Sequence, residues 1–376
     1  MIYLDSAATS LQKPAAVGRA MLRAMTQMTT PGRGMSAPAM AAAQLVFDCR
    51  MAAAQLLGVG TPEQVVFTFN ATHGLNIAIK SLVKQGDTVL ISGYEHNAVT
   101  RPLAAIGGVT LKIASCAPFE PQSMLYQMEQ KLTSEVSCVI CTHVSNVFGF
   151  VLPVEEIAAL CRNKSVPLIL DLSQSAGAVP VLFDSWGAAF AAMPGHKGLL
   201  GPQGTGILLC NHEAKPLMEG GTGSESKRQE MPAFFPDRLE AGTHNVTGIA
   251  GLLEGIRYVQ KRGVEAILAH ERQLIERMVY RMERMLGVRV YAAPHQFCQT
   301  GVLSFHLYDM DCERVAERLA LRDVAVRAGL HCAPLAHNSA GTMGRGTVRA
   351  SVSAFNTLRE VERFLDDVEE LAQEHE

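Results

Sequence analysis

The sequence predicts an α/β protein: a large unit on a mostly parallel seven-stranded sheet, with a small α+β unit toward the C-terminus. Between residues 65 and 210, seven short apolar runs alternate with helical patterns. That alternation marks strands joined by crossover helices, in a sheet covered on both faces. After residue 245 the texture changes to a long helical stretch, one strand and two further helices. The expected division of this 376-residue chain is 15–248 for the large unit, with 1–14 and 249–376 forming the small one.

The runs are 65–69, 87–92, 109–114, 138–144, 167–172, 190–193 and 206–210, each short and rich in Val, Ile, Leu or Phe. Between them, HGLNIAIKSLV and EEIAALCRN have helical spacing, with Leu75, Ala78, Ile79 and Leu82 on one face. A helical stretch over roughly 250–286 is expected to end at Gly287, a strand to follow at 302–307, and a helix over roughly 312–322. The last helix opens on Thr357-x-x-Glu360, a capping box, and carries the stripe Leu358, Val361, Leu365, Val368 and Leu371. Gly/Pro-rich stretches at 194–206, 219–224 and 329–347 read as loops long enough to carry function.

Composition narrows the function. A net charge of −3 and a pI near 6.5 supply no basic field, so neither nucleic acid nor an anionic membrane is expected as a partner. The opening residues have no secretory pattern and no apolar run reaches a membrane span, so a cytoplasmic location is expected. Nine cysteines, scattered and odd in number, read as reduced thiols. Cys138 and Cys141 lie three apart within one strand, so they point to opposite faces; buried thiols are expected there, and no metal site.

The strongest local pattern is MPGHKGLLGPQGTG at 193–206, where a short strand enters a glycine-rich loop at His196-Lys197. Lysine is the side chain that holds a carbonyl cofactor covalently and then acts as a base once released. A surface lysine beside a turn is the competing reading. Asp171 ends the run PLILDL, where a parallel strand opens onto a crevice. A carboxylate there is costly unless paired, and a protonated pyridine nitrogen is one such partner; a turn-capping aspartate is the alternative. Gln174 stands three residues on, placed for a cofactor's phenolic oxygen. Asn70-Ala71-Thr72-His73 follows a strand and opens a helix, whose free N–H groups favour phosphate. Glu95-His96-Asn97 also follows a strand, with an imidazole available to stack on a ring. Singly these read as helix caps and loop histidines; jointly, on successive strand ends, they point to one site.

The order NATHG, EHN, HVSNVFG, DLSQ, GHKG, EAGTHN, RAGLHCA and VRASVSAFNT resembles the class V aminotransferase fold of pyridoxal-phosphate-dependent transferases. More narrowly it is similar to the cysteine desulfurase and selenocysteine lyase group whose motif is R-x-G-x-H-C. The resemblance runs from YLDSAAT to the last helix. It implies pyridoxal 5'-phosphate as cofactor, with Lys197 as its covalent anchor, Asp171 as pyridinium partner and Gln174 at the phenolate oxygen. His96 would stack on the ring, and Ala71, Thr72 and His196 would lie at the phosphate. Thr243 would reach that phosphate from a second subunit, which makes a homodimer the expected state. Arg349 would grip the substrate carboxylate, assisted by Asn146. Cys332 would carry a persulfide for transfer to an acceptor; its loop position beside His331 and near Arg327 suits a reactive thiolate.

The activity so implied is conversion of L-cysteine to L-alanine, with Lys197, Cys332 and His96 as the catalytic set. Selenocysteine lyase, or another β-eliminating lyase, is the alternative, and a sulfur-carrier scaffold without turnover is a third reading. Three places depart from the resemblance, one of them Leu330, where many relatives have a second histidine. Pro194 stands where a phosphate-binding hydroxyl is usual, and Met35-Ser36 replace a histidine expected after the Arg33-Gly34 start, near substrate entry.

Overall fold

The computed structural model describes residues 1–32, 34–294, 298–308 and 310–374. Its strands are β1 (Ile2–Tyr3), β2 (Val65–Thr68), β3 (Thr88–Ser92), β4 (Thr110–Ala114), β5 (Val136–Thr142), β6 (Leu168–Asp171), β7 (Phe190–Pro194), β8 (Gly206–Cys210), β9 (Val288–Tyr291), β10 (Val302–Leu307), β11 (Val324–Ala325), β12 (Arg327–Gly329) and β13 (Thr347–Ser351). The helices are α1 (Ala15–Gln27), α2 (Ala37–Leu57), α3 (Ala71–Leu82), α4 (Asn97–Ile106), α5 (Pro121–Lys131), α6 (Val154–Asn163), α7 (Phe183–Trp186), α8 (Val246–Arg262), α9 (Val264–Met282), α10 (Cys312–Leu321), α11 (Pro334–Ala340) and α12 (Leu358–Gln373).

All seven expected runs became the strands of one sheet, in the order β2-β8-β7-β6-β5-β3-β4. Only β8 runs against the rest, pairing antiparallel with both β2 and β7. Side-chain alternation divides the apolar residues between two cores. Val89, Ile91, Cys138, Ile140 and Ile169 pack on one face. Leu90, Val139, Cys141, Leu168 and Leu170 pack on the other. Cys138 and Cys141 therefore lie on opposite faces of β5, both buried. Each fully buried Leu or Ile contributes about 1.5–3 kcal/mol, so both faces stabilise the sheet.

Later elements form a four-stranded antiparallel sheet, β12-β13-β10-β9. Its core takes Val361, Phe364, Leu365, Val368 and Leu371 from α12, and Ile2 and Leu4 from the N-terminal segment, whose β1 pairs in parallel with β11. The capping box at Thr357 and Glu360 is formed in both directions.

Several details differ from expectation: β9, β12 and β13 join the one strand foreseen at 302–307, and α11 lies within the 329–347 stretch read as a loop. The 250–286 stretch is two helices, because Gly263 at φ 85° breaks it; α9 then stops at Met282, short of Gly287. Leu358 is half exposed, and Phe364 takes the apolar place on α12. Helix α8 crosses residue 248, packs against α1 and α2, and buries Ile249, Leu252 and Ile256 beneath the large sheet. Among the described residues no helix is long and apolar enough to cross a membrane.

Candidate active site

In the parallel set, β4 lies to one side of β3 and β5 to the other, so the winding direction switches between β3 and β5. Crevices for ligands form outside the carboxyl ends of strands at such a point. Residues following β2, β3, β5, β6 and β7 all emerge at that edge. They line a cavity of about 600 Å³, walled by His96, Asn146, His196, Lys197, Cys332 and Arg349. An adjoining niche of about 110 Å³ shares four of these and adds Ala71, Thr72, Asp171 and Gln174. The structure thus gathers every sequence-predicted site residue except Thr243.

Lys197 follows β7 in a turn dictated by close packing. A Cβ at Gly195 would lie 2.1 Å from Thr205 Oγ1, and one at Gly198 2.5 Å from Ala176 O, so only glycine fits on either side of His196-Lys197. Burial pushes the Lys197 amine down to about 8, partly offset by Asp171. Asp171, 2% exposed at the end of β6, accepts from Ser173 N at 2.8 Å through Oδ1. Burial, with Lys197 and Lys13 nearby, lowers His196 to about 4, so it is neutral; its Nδ1 meets Thr9 Oγ1 at 3.0 Å. Gln174 Nε2 donates to Ala7 O at 3.0 Å. Asn70 caps α3, its side chain accepting from His73 N at 2.9 Å, and leaves the N–H groups of Ala71 and Thr72 at the niche.

His96 caps α4, with Nδ1 accepting from Ala98 N at 3.0 Å. Burial lowers its pKa, so the neutral ring carries its proton on Nε2. Glu95, given no role from sequence, is wholly buried; Oε1 accepts from Ser92 Oγ at 2.5 Å and Thr142 N at 2.7 Å. It ties the ends of β3 and β5 together at the switch point. Burial raises it to about 8, with Asp171 adding to the shift, so it is an uncharged acid at neutral pH.

Arg349, on β13 and 2% exposed, donates from Nη1 to Asn146 O at 2.9 Å and from Nη2 to Asp5 Oδ1 at 2.8 Å. Asp5 was missed from sequence, since its partners lie more than 300 residues away. Asn146 Nδ2 donates to His331 O at 2.8 Å, and Asn97 N to Cys332 O at 2.7 Å, which pins the thiol loop to the large sheet. His331 and Cys332 both adopt left-handed backbone, at φ 50° and 56°, and Cys332 is the one exposed cysteine among the described residues. His331 does not supply the positive charge its position suggested. Burial and the nearby Arg349 lower it to about 2, leaving it neutral.

Thr243 lies apart, exposed in a groove of about 580 Å³ with Phe47, Arg50, Glu240 and His244. Met35, 89% exposed, and Ser36 line none of the cavities that Lys197 borders within this chain, and Arg33 lies outside the described residues. Pro194 ends β7 and lines the niche.

Comparison with known proteins agrees with this geometry. The aminotransferase class-V family model matches residues 2–364. A probable cysteine desulfurase of Methanothermobacter thermautotrophicus is 32% identical, over 99% of this chain and 94% of its own. One from Pyrococcus abyssi is 31% identical, with the same coverage. A solved structure described as an apo cysteine desulfurase, from Thermococcus onnurineus NA1, superposes with TM-score 0.91 at 30% identity, covering 99% and 95% of the two chains. A matched family model over nearly the whole chain and full-length relatives above 30% identity lead to one conclusion: this chain belongs to the aminotransferase class-V family.

Proposed function

We propose that this chain is a pyridoxal-phosphate-dependent cysteine desulfurase, converting L-cysteine to L-alanine and leaving the sulfur on Cys332. The observation that carries this reading is that one cavity is walled by a buried amine, a buried guanidinium and an exposed thiol: Lys197, Arg349 and Cys332. The relatives' names support it. A non-catalytic scaffold has no use for that combination.

The niche suits the cofactor. Asp171 has one oxygen held by Ser173 and the other left for a pyridinium, while the start of α3 offers backbone N–H groups to a phosphate. Lys197 would hold the group covalently, with Gln174 at its phenolate oxygen, His96 against its ring, and Thr72 and His196 at its phosphate. Bound there, the cofactor supplies an electron sink at the substrate α-carbon.

The protein's own residues do the rest. Arg349 fixes the substrate carboxylate, its fork held in orientation by Asn146 O and Asp5. Lys197 Nζ, near 8, is partly neutral at physiological pH and takes the α-proton. Cys332 attacks the substrate sulfur as a thiolate: the Cβ–S bond breaks with its electrons staying on the carbon side, a proton is added there, and an S–S bond forms. Cysteine plus the Cys332 thiol thus become alanine plus a persulfide, and no external oxidant is required.

A homodimer belongs to the same proposal. Thr243 is exposed, and large apolar side chains border its cavities, including Phe47, Phe69 and Met218. A second copy covering this face would bring Thr243 to its neighbour's phosphate site. A cytoplasmic location, a sulfur-acceptor protein, and the division into 15–248 against 1–14 with 249–376 stand as further parts of it. Limited proteolysis would decide to which unit α8 belongs.

The test is alanine release from L-cysteine and L-selenocysteine, by the wild type and by Cys332→Ala. Loss of cysteine turnover with selenocysteine turnover retained is the expected result. Equal turnover of cysteine by the variant would refute the role of Cys332, and no turnover of either substrate by the wild type would refute the function.

A further inference from the structure

We propose that Asp5 is a specificity-determining residue: by cancelling one of two paired guanidinium charges, it tunes the cavity to an amino acid with one carboxylate and an uncharged side chain. This rests on the function proposed above and adds the residue that sets its charge selectivity.

Arg327 and Arg349 lie directly opposite in the antiparallel register of β12 and β13, and both wall the Lys197 cavity. Like charges in directly opposed positions repel. Asp5, 7% exposed, enters from the N-terminal segment and bridges them. Its Oδ2 accepts from Arg327 Nε at 3.0 Å and Nη2 at 2.9 Å, and its Oδ1 accepts from Arg349 Nη2 at 2.8 Å. Two guanidinium groups and one carboxylate leave one positive charge. The nearby histidines, His196 and His331, are held neutral by burial, and Lys197 faces its own counter-charge in Asp171.

The uncancelled charge lies on a guanidinium with one unpaired N–H. Arg349 Nε is buried and without a hydrogen-bond partner among the described residues. A single substrate carboxylate at the Arg349 guanidinium satisfies that charge. Among the described residues walling the cavity, a second acidic group would meet Arg327 with its Nε and Nη2 already given to Asp5. Arg327 thus acts on substrate through Asp5, not by touching it. Without Arg327, Asp5 alone would neutralise Arg349, and the site would lose its pull on any carboxylate.

The test uses holoenzyme and two probes lacking an amine, propionate and succinate, with affinities from calorimetric titration. Wild type should bind propionate at least as tightly as succinate. Arg327→Gln should weaken propionate by about tenfold or more although Arg349 is intact. Asp5→Asn should shift preference toward succinate by a similar factor. The double variant Asp5→Asn with Arg327→Gln restores a net charge of one and should return the wild-type preference, a rescue that a merely structural role of Asp5 does not predict. If Asp5→Asn fails to fold, Arg327→Gln still decides through its propionate affinity. Unchanged propionate binding in Arg327→Gln, or a double variant without rescue, overturns the proposal. Alanine release by the wild type is measured alongside: its absence with the probe ranking intact would sink the desulfurase reading alone.

Discussion

Replacing Glu271 by Gln should flatten the decline of stability with rising pH. Glu271 lies on α9, 7% exposed, and walls a cavity of about 50 Å³ that also touches Lys197 and Gln174. Burial raises its carboxyl to about 8, and a hydrogen bond from the Gly301 backbone reverses only part of that. Between the ordinary value of 4.5 and about 8, the folded protein keeps this proton while the unfolded chain has released it. Raising pH through that window therefore favours unfolding, and the stability present at low pH is lost. The slope is about 1.4 kcal/mol per pH unit, or about 2.7 kcal/mol between about pH 5.5 and pH 7.5. Gln has the same shape, still accepts from Gly301 N, and has no proton to lose. Glu95 adds a similar slope, but equally in both proteins, so it cancels in the comparison. Urea unfolding of wild type and Glu271→Gln across this range measures the difference. The variant should gain on the wild type by about 2–3 kcal/mol as pH rises. Parallel curves would mean Glu271 ionises normally in the fold, and the burial argument would fail.

Three further outcomes follow from the site. After cofactor removal, colour returning with added pyridoxal phosphate should develop faster as pH rises to about 8 and then level, because Lys197 titrates there; a rate still climbing at pH 10 would indicate an ordinary lysine. Arg349→Lys loses the planar fork and should raise KM for L-cysteine by about 10- to 100-fold, with a smaller change in kcat, in steady-state kinetics. Arg50→Ala should destabilise the fold by about 3–5 kcal/mol in urea unfolding. It takes the guanidinium away from Glu240, 8% exposed, whose Oε1 accepts from Arg50 Nη1 at 2.8 Å, and leaves that buried carboxylate, among the described residues, only Phe67 N and His244 Nε2.

Sequence reading reached the large sheet because each strand there is a short apolar run bounded by turn residues, a purely local signal. The same holds for Asp171, Lys197 and His96, which stand at or just beyond the ends of such runs, where a parallel strand must open onto a crevice. Strand β13 was not recognised as a strand: its Arg349 is an isolated charge that becomes buried only by pairing with Asp5. Gly263 passed as part of one helix, since a left-handed glycine and an ordinary helical glycine look alike in sequence.

Local pattern therefore determined the fold class, the strand ends and the cofactor motif, because periodicity and spacing are properties of neighbouring residues. Tertiary structure alone decided that Asp5 bridges Arg327 and Arg349, that Glu95 clamps β3 to β5, and that Asn146 and Asn97 pin the Cys332 loop. Each of these depends on burial and on partners distant in the chain, and desolvation acts only once the chain has closed around a group.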